Sequence, residues 1–326
     1  MEGKLDLLLD ETELEPVDKK NRLRKFMLTI RRNKVLILML LPAILYFLIF
    51  SYIPMGGTIL AFKNYNFRDG IFGSPWVGLD NFKYFFISGQ AWIVTRNTIL
   101  YNVAFITVNT ILQMGLAILI SEIGGKYFKK LTQTAMFLPY FISWVVVGII
   151  AYNMLNLENG TINSMIAKIG GEKFNFYGST FVWPFIMIFV SAWKNVGYGT
   201  VLYLAAIMGI DTETYEAAKI DGANIFQRIF KVTIPSLIPT MIILTLLAIG
   251  NIFRGDFQMF YQIIGNNGPL FNATDVIDTF TFRSLIQSGE VGMSAASCLY
   301  QSVFCFITIM ISNFLVKKYD KDYSLF

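Results

Sequence analysis

No histidine occurs anywhere in the chain of 326 residues, and cysteine occurs only twice. The first absence removes imidazole as a general base, a proton shuttle or a metal ligand. Cys298 and Cys305 fall in one apolar run. On a helix they would sit about 10 Å apart along the axis, beyond disulfide reach, so they read as small packing residues. Charge is scarce as well: Asp, Glu, Lys and Arg make up 15% of the chain, against about a quarter in soluble domains. That composition argues against a water-facing enzyme and excludes the disordered, collagen-like and disulfide-scaffold classes. What is abundant is apolar: 55% of residues are hydrophobic, 16% are aromatic, and the mean hydropathy is +0.53. The chain reads as a membrane protein.

Long stretches hold no charge at all. Residues 35–62, 97–121, 131–157, 232–253 and 291–316 contain no Asp, Glu, Lys or Arg, and 174–210 is interrupted only by Lys194. A helix needs about 20 mostly apolar residues to cross the hydrocarbon, so each stretch suffices for one span. Backbone amides cannot go unpaired in lipid, so the spans are expected to be helices. The expected fold is all-α: a polytopic membrane protein with six transmembrane helices over about 35–62, 95–121, 131–157, 180–208, 232–254 and 291–316, within a permease domain at 34–318. Pro42, Pro54, Pro139 and Pro184 lie near expected helix ends, where they kink or terminate a helix.

An even number of spans puts both termini on one side. That side carries Lys4, Lys19, Lys20, Arg22, Arg24, Lys25, Arg31, Arg32 and Lys34, then Lys126, Lys129 and Lys130, then Lys219, Arg228 and Lys231, then Lys317, Lys318 and Lys321. The other side has far fewer cations. Positive-inside bias therefore predicts cytoplasmic termini for a multi-pass protein of the cell (inner or plasma) membrane. Residues 1–33 read as a cytoplasmic tail whose basic and apolar stretch at 22–32 suits an in-plane helix or a solvated flank; 319–326 form a short second tail. The outer loop at 63–90 is rich in aromatic residues, which suits an interfacial belt or a docking surface for an external partner. No nucleic acid is expected as a partner.

One connector is longer than a pore requires. Residues 211–231 hold a cap (Asp211 or Thr212), acids in a first helical turn (Glu213, Glu216), a small apolar ridge on one face (Tyr215, Ala218 and Ile220) and a glycine, Gly222, suited to a sharp turn. Glu216-Ala217-Ala218, then Gly222, then Val232-Thr233-Ile234-Pro235, with Asp221, Ala223 and Pro239, resembles the EAA signature of the membrane subunits of ABC importers. Val232 and Ile234 stand where Ile and Leu are usual. Further stretches, among them LLPAILYFLIFSYIPM, GSPWVGLDNFKYFF, LPYFISWVVVG and AWKNVGYGTVLYLAA, resemble the carbohydrate-uptake permeases, in the branch associated with polysaccharide fragments and aldouronate-type oligosaccharides.

The resemblance implies a permease subunit that forms half of a translocation path for an oligosaccharide. Its EAA helix would fit a groove on a separate cytoplasmic ATPase, with Glu216 as charged anchor, Ala217 and Ala218 as the close-packing face and Gly222 as the turn. Implied partners are a second, homologous permease (in such systems usually a different chain), two ATPase subunits and an external sugar-binding protein. ATP and Mg would belong to the ATPases. The residues agree: Gly124-Gly125-Lys126 lacks the spacing of a phosphate-binding loop, and no cofactor site or paired nucleophile and base is evident.

For the substrate path, Lys194 stands near the middle of an apolar region, where a charge needs backbone carbonyls, water, a partner subunit, an acid such as Asp256, or a ligand. Asn195 and Tyr198 follow it within a turn, and Asn251 and Arg254 are one turn apart at the end of the fifth span. By resemblance, sugar permeases carry substrate contacts on these two segments. Asn109 and Gln113 read as interhelical hydrogen-bonding residues. An ion-coupled secondary transporter is the competing reading, but it would want carboxylates inside the spans, and there are none. Asp256, Asp275, Asp278 and Glu290 are expected in a solvated outer loop.

Overall fold

The computed structural model describes residues 32–320 and Ser324. The expected N-terminal tail up to residue 31, with its in-plane stretch, lies outside the described residues, as do 321–323, 325 and 326. The chain divides into two units, Met1–Gly57 and Thr58–Phe326. In the first, helix α1 (Lys34–Phe47) contains Pro42 and runs into a widened π turn at Leu48–Tyr52 and a last turn at Ile53–Met55. The second unit holds α2 (Asp80–Ile87), α3 (Gln90–Ser121), α4 (Lys126–Phe137), α5 (Trp144–Leu155), α6 (Thr161–Lys168), α7 (Trp183–Met208), α8 (Thr212–Ile220), α9 (Ile225–Ile249), α10 (Phe257–Ile264), α11 (Ile277–Ile286) and α12 (Val291–Tyr319). The extended backbone among the described residues includes one isolated bridge, Lys63 with Trp76. Both π turns, Leu48–Tyr52 and Ile229–Thr233, immediately precede a turn containing proline, Pro54 and Pro235. A proline lacks the N–H and crowds the carbonyl four residues back, and a wider turn relieves that crowding.

Among the described residues, five helices are long and apolar enough to cross a membrane: Lys34–Phe62, Gln90–Ser121, Trp183–Met208, Ile225–Ile249 and Val291–Lys318. The uncharged run at 131–157, which reads as one continuous span, is instead two helices, Lys126–Phe141 and Trp144–Leu155, meeting at 91°. The cause is local. Pro139 tightens the chain into a 3-10 turn, Leu138–Phe141, and Ile142 and Ser143 are extended. The Ser143 hydroxyl then caps α5 by accepting from the Val146 N–H at 3.4 Å.

In lipid, apolar burial does little to hold helices together, so close packing and polar contacts carry that load. The long contact of α3 with α7 shows both. Gly199 leaves space that the Gln113 side chain fills, and the Gln113 amide donates to the Asn195 carbonyl at 3.3 Å. Toward one end, Tyr101, Trp183, Met187 and Phe260 form a buried cluster; toward the other, Ile120, Tyr203 and Leu237 do. Phe85, Phe253 and Phe280 form a third.

The acids expected in a solvated outer loop are only partly so. Asp275 is 2% exposed, paired with Arg283 and bonded by the Thr279 hydroxyl at 2.7 Å. The Arg283 guanidinium lies 3.9 Å over the Phe271 ring. Burial holds this pair because each charge meets the other within one short helix–turn segment, a folding-back that residue spacing alone does not reveal. Asp278 is half-buried and bonded, whereas Glu290 is exposed.

Candidate functional site

The 91° break strands carbonyls that a continuous helix would have paired. Lys194, 7% exposed on α7, answers them: its ammonium donates to the carbonyls of Pro139 at 3.2 Å, Tyr140 at 2.9 Å and Ile142. Three N–H donors meet three acceptors, and the charge also lies 5.0 Å from the Trp144 ring centroid. One turn further along α7, Gly197 lets the two backbones touch; a Cβ there would sit 2.0 Å from the Met136 carbonyl oxygen. Lys194 and Gly197 thus dock the broken span on α7. Tyr198, on the same stretch, stacks on Tyr140 with ring centroids 4.9 Å apart and planes at 13°. Both rings remain partly open, at 44% and 39% exposure.

A second break follows α9. Here Asn102 of α3 donates to the carbonyls of Ile252 at 3.0 Å and Arg254 at 2.9 Å. Gln301 of α12 donates to the Phe253 carbonyl at 2.8 Å and to the Asp278 carboxylate at 2.7 Å. That carboxylate accepts from the Gly255 N–H at 2.6 Å. Burial pushes the Asp278 carboxyl above its ordinary pKa, against the pull of the Gly255 N–H and the Gln301 amide. Side chains from three helices thereby fix four consecutive residues of irregular backbone. The turn ends at Asp256, which caps α10 by accepting from the Met259 N–H at 3.0 Å and faces both Trp144 and the Lys194 charge. The two breaks are therefore neighbours.

The expected path residues divide by what their side chains do. Lys194 is fully occupied by carbonyls. Asn195 donates to Ser191 O at 3.0 Å within α7, and Asn251, just past α9, donates back to Leu247 O at 3.1 Å. Arg254 differs. Its backbone is pinned, its side chain is exposed, and among the described residues its guanidinium forms no ion pair. Asn102 and Gln301 were not singled out by the sequence, the available signal being amide side chains inside otherwise uncharged spans, and Asp278 was expected only as a solvated loop acid.

At the other end of α7, Asp211 caps α8 by accepting from the Glu213 N–H at 3.0 Å. The helix closes at Gly222, φ +77°, with the Ala223 N–H bonding back to Ala218 O at 2.9 Å. The α8 helix is tied to the foot of α9 by Tyr215 and the buried Thr233 hydroxyl, 2.9 Å apart, and Arg228 pairs with Glu122 at 3.8 Å. Glu216, Ala217 and Asp221 face outward, and Ile220 and Phe226 are 86% and 69% exposed. The result is a short helix on a rigid mount with an uncovered face. Among the described residues, no group of three or more His, Cys, Asp and Glu side chains is arranged to hold a metal.

Comparison with known proteins fits this geometry. Protein LplB of Bacillus subtilis is 34% identical over 297 residues, covering 91% of this chain and 93% of that protein. The polygalacturonan/rhamnogalacturonan transport system permease protein YteP of Bacillus subtilis is 31% identical over 304 residues, covering 93% and 94%. The crystal structure of a bacterial alginate ABC transporter, in complex with an alginate pentasaccharide-bound periplasmic protein, contains a chain that matches with a TM-score of 0.81 at 30% identity, over 90% of this chain and 97% of that one. Residues 21–321 match a single family, so an ion-coupled secondary transporter falls away: the chain belongs to the binding-protein-dependent transport system inner membrane components and is a membrane permease of the ABC importer class.

Proposed function

We propose that this permease carries an acidic oligosaccharide inward and contributes half of its path, the two adjoining helix breaks forming the part that meets the sugar. The observation that carries the reading is Arg254, an exposed guanidinium without a carboxylate partner among the described residues, on a turn that Asn102, Gln301 and Asp278 hold still. An exposed guanidinium without an ion pair, carried on a held backbone with only the Asp278 charge in its neighbourhood, suits a bidentate bond to a sugar carboxylate. The stacked Tyr140 and Tyr198 offer an aromatic edge for a sugar ring, with Asn195 and Asn251 nearby in sequence as hydroxyl partners. Lys194 serves this path by holding the break rather than by touching the sugar. Relatives named for polygalacturonan and alginate, both built of uronic acids, support the acidic class.

The same reading gives the chain six crossings, the bent pair counting as one, with both termini in the cytoplasm. The coupling residues are Glu216, Ala217, Ala218, Asp221, Gly222 and Ala223. Their helix docks on a cytoplasmic ATPase, one of two that bind ATP and Mg. ATPase closure moves the docked helix, and α8, tied to α9 through Tyr215 and Thr233, passes that motion to the span that ends at Arg254. A second permease completes the path, and an external binding protein delivers the sugar.

The test is uptake by the reconstituted importer with its binding protein. Acidic oligosaccharide should accumulate only when ATP and the ATPases are present, and a neutral oligosaccharide of equal length should accumulate far less. Accumulation by the permease alone, or equal uptake of both sugars, overturns the reading.

A further inference from the structure

We propose that the cleft between α3 and α7 beside Arg96 binds an anionic phospholipid, with the phosphate on the guanidinium and an acyl chain in the cleft. Arg96 stands just before the uncharged part of α3, where a span meets the membrane surface. Its Nη2 donates to the Asn272 carbonyl and to Asn97 Oδ1, both at 3.0 Å, and its Nε donates to Asn97 Oδ1 at 3.3 Å. These acceptors are neutral. Among the described residues Arg96 has no carboxylate partner, and its Nη1 makes no hydrogen bond. The guanidinium is therefore held in orientation by one edge while its charge and its other edge stay uncommitted.

Beside it opens a cavity of about 440 Å³. Its polar rim, Arg96 and Asn272, gives way to Leu100 and Ala104 on α3 and to Pro184 and Ile188 on α7. On each helix the two apolar residues are four apart, so each pair lines one continuous strip running away from the cation. From Arg96 to Ala104 the helix rises about 12 Å, close to the depth of one leaflet's hydrocarbon, about 15 Å. A headgroup-sized cation site above an acyl-sized apolar slot is the shape of a lipid. A sugar fits less well, because below the rim the strips of Leu100, Ala104, Pro184 and Ile188 offer its hydroxyls no partner and the Tyr101 hydroxyl is already bonded to the Ala273 carbonyl. A transmembrane helix of another subunit laid there would bury Arg96 without a counter-charge. Phe181, just before α7, and Phe185 and Phe189 on it recur every four residues and are 76%, 63% and 70% exposed, an apolar ladder suited to hydrocarbon.

The test uses the whole importer, purified in mild detergent, delipidated and titrated with phosphatidylglycerol or phosphatidylcholine, with retained lipids counted by native mass spectrometry. Wild type should hold phosphatidylglycerol preferentially. Arg96→Gln should reduce its retention by roughly five-fold, the effect of one basic residue near an anionic lipid, and leave phosphatidylcholine unchanged. Leu100→Trp, which fills the slot and keeps the charge, should reduce both. Equal retention of the two lipids by wild type overturns the proposal. So does unchanged phosphatidylglycerol retention in Arg96→Gln or, should that variant fail to assemble, in Leu100→Trp. Cross-linking of Leu100→Cys to a second permease subunit also overturns it.

Discussion

The ammonium of Lys194 donates a 2.9 Å hydrogen bond to the carbonyl of Tyr140, a residue fifty-four positions earlier, and closes the gap left where the broken span turns through 91°. Replacing it with methionine keeps the stem and strands the Tyr140 and Ile142 carbonyls in a low-dielectric setting, while Pro139 O retains the Ile142 N–H at 3.2 Å. Lys194→Met should lower stability by about 2–4 kcal/mol, from the loss of charged hydrogen bonds tempered by the modest value of such bonds in membranes. Thermal unfolding of the solubilised protein reads this out. If Lys194 instead held only the sugar, stability would not change and the apparent KM alone would rise.

Gly197 tests the same joint from the backbone side. An alanine Cβ would lie 2.0 Å from Met136 O and 2.9 Å from Phe137 Cα, and neither is a flexible side chain that can swing away. Gly197→Ala should cost about 1–3 kcal/mol by forcing α7 off the break. Gly115→Ala, also within a long span, meets nothing within 4 Å and should be neutral or slightly stabilising. Equal melting temperatures for the two variants would show that the helices do not touch at Gly197.

Much of this architecture is legible in the sequence because lipid makes charge informative: runs without Asp, Glu, Lys or Arg mark the long helices, and the Glu216 to Gly222 spacing marks α8. The breaks are not legible. Pro139 shows that a helix is disturbed there but not whether it kinks or folds back, since the outcome rests on Lys194 supplying donors from another helix. Asn102 and Gln301 look like any amide inside a span. Their role depends on which carbonyls lie opposite, and no residue pattern along one chain encodes that. Asp275 misleads for the same reason, its charge being answered by Arg283 after a turn.

Arg254 should govern selectivity rather than assembly. Its guanidinium forms no ion pair among the described residues and acts on the fold only through the pull of its charge on Asp278, so Arg254→Gln should lower melting only slightly and raise the apparent KM for an acidic oligosaccharide about ten-fold, the value of one charge-assisted hydrogen bond. Uptake of a neutral oligosaccharide should hardly move. Asn102→Leu frees the carbonyls on either side of Phe253, so it should reproduce part of that KM effect while also lowering stability. A loss of Vmax with unaltered KM in Arg254→Gln would remove this residue from sugar recognition.

Gly222 offers the sharpest test of coupling because conformation and crowding separate there. Its φ is +77°, yet a Cβ would meet nothing within 4 Å. A side chain at this point therefore strains the backbone by about 1–2 kcal/mol without a clash, and asparagine, which tolerates the left-handed region, strains it less than valine. Should α8 transmit force to an ATPase, co-purification of that subunit and sugar-stimulated ATP hydrolysis should fall in the order Gly, Asn, Val at position 222, with equal permease in the membrane. Glu216→Lys leaves the backbone alone and reverses one exposed charge, so it should lose the ATPase with the permease's own melting unchanged. Full ATP hydrolysis and uptake in both Gly222→Val and Glu216→Lys would mean that the motor grips this permease somewhere other than α8.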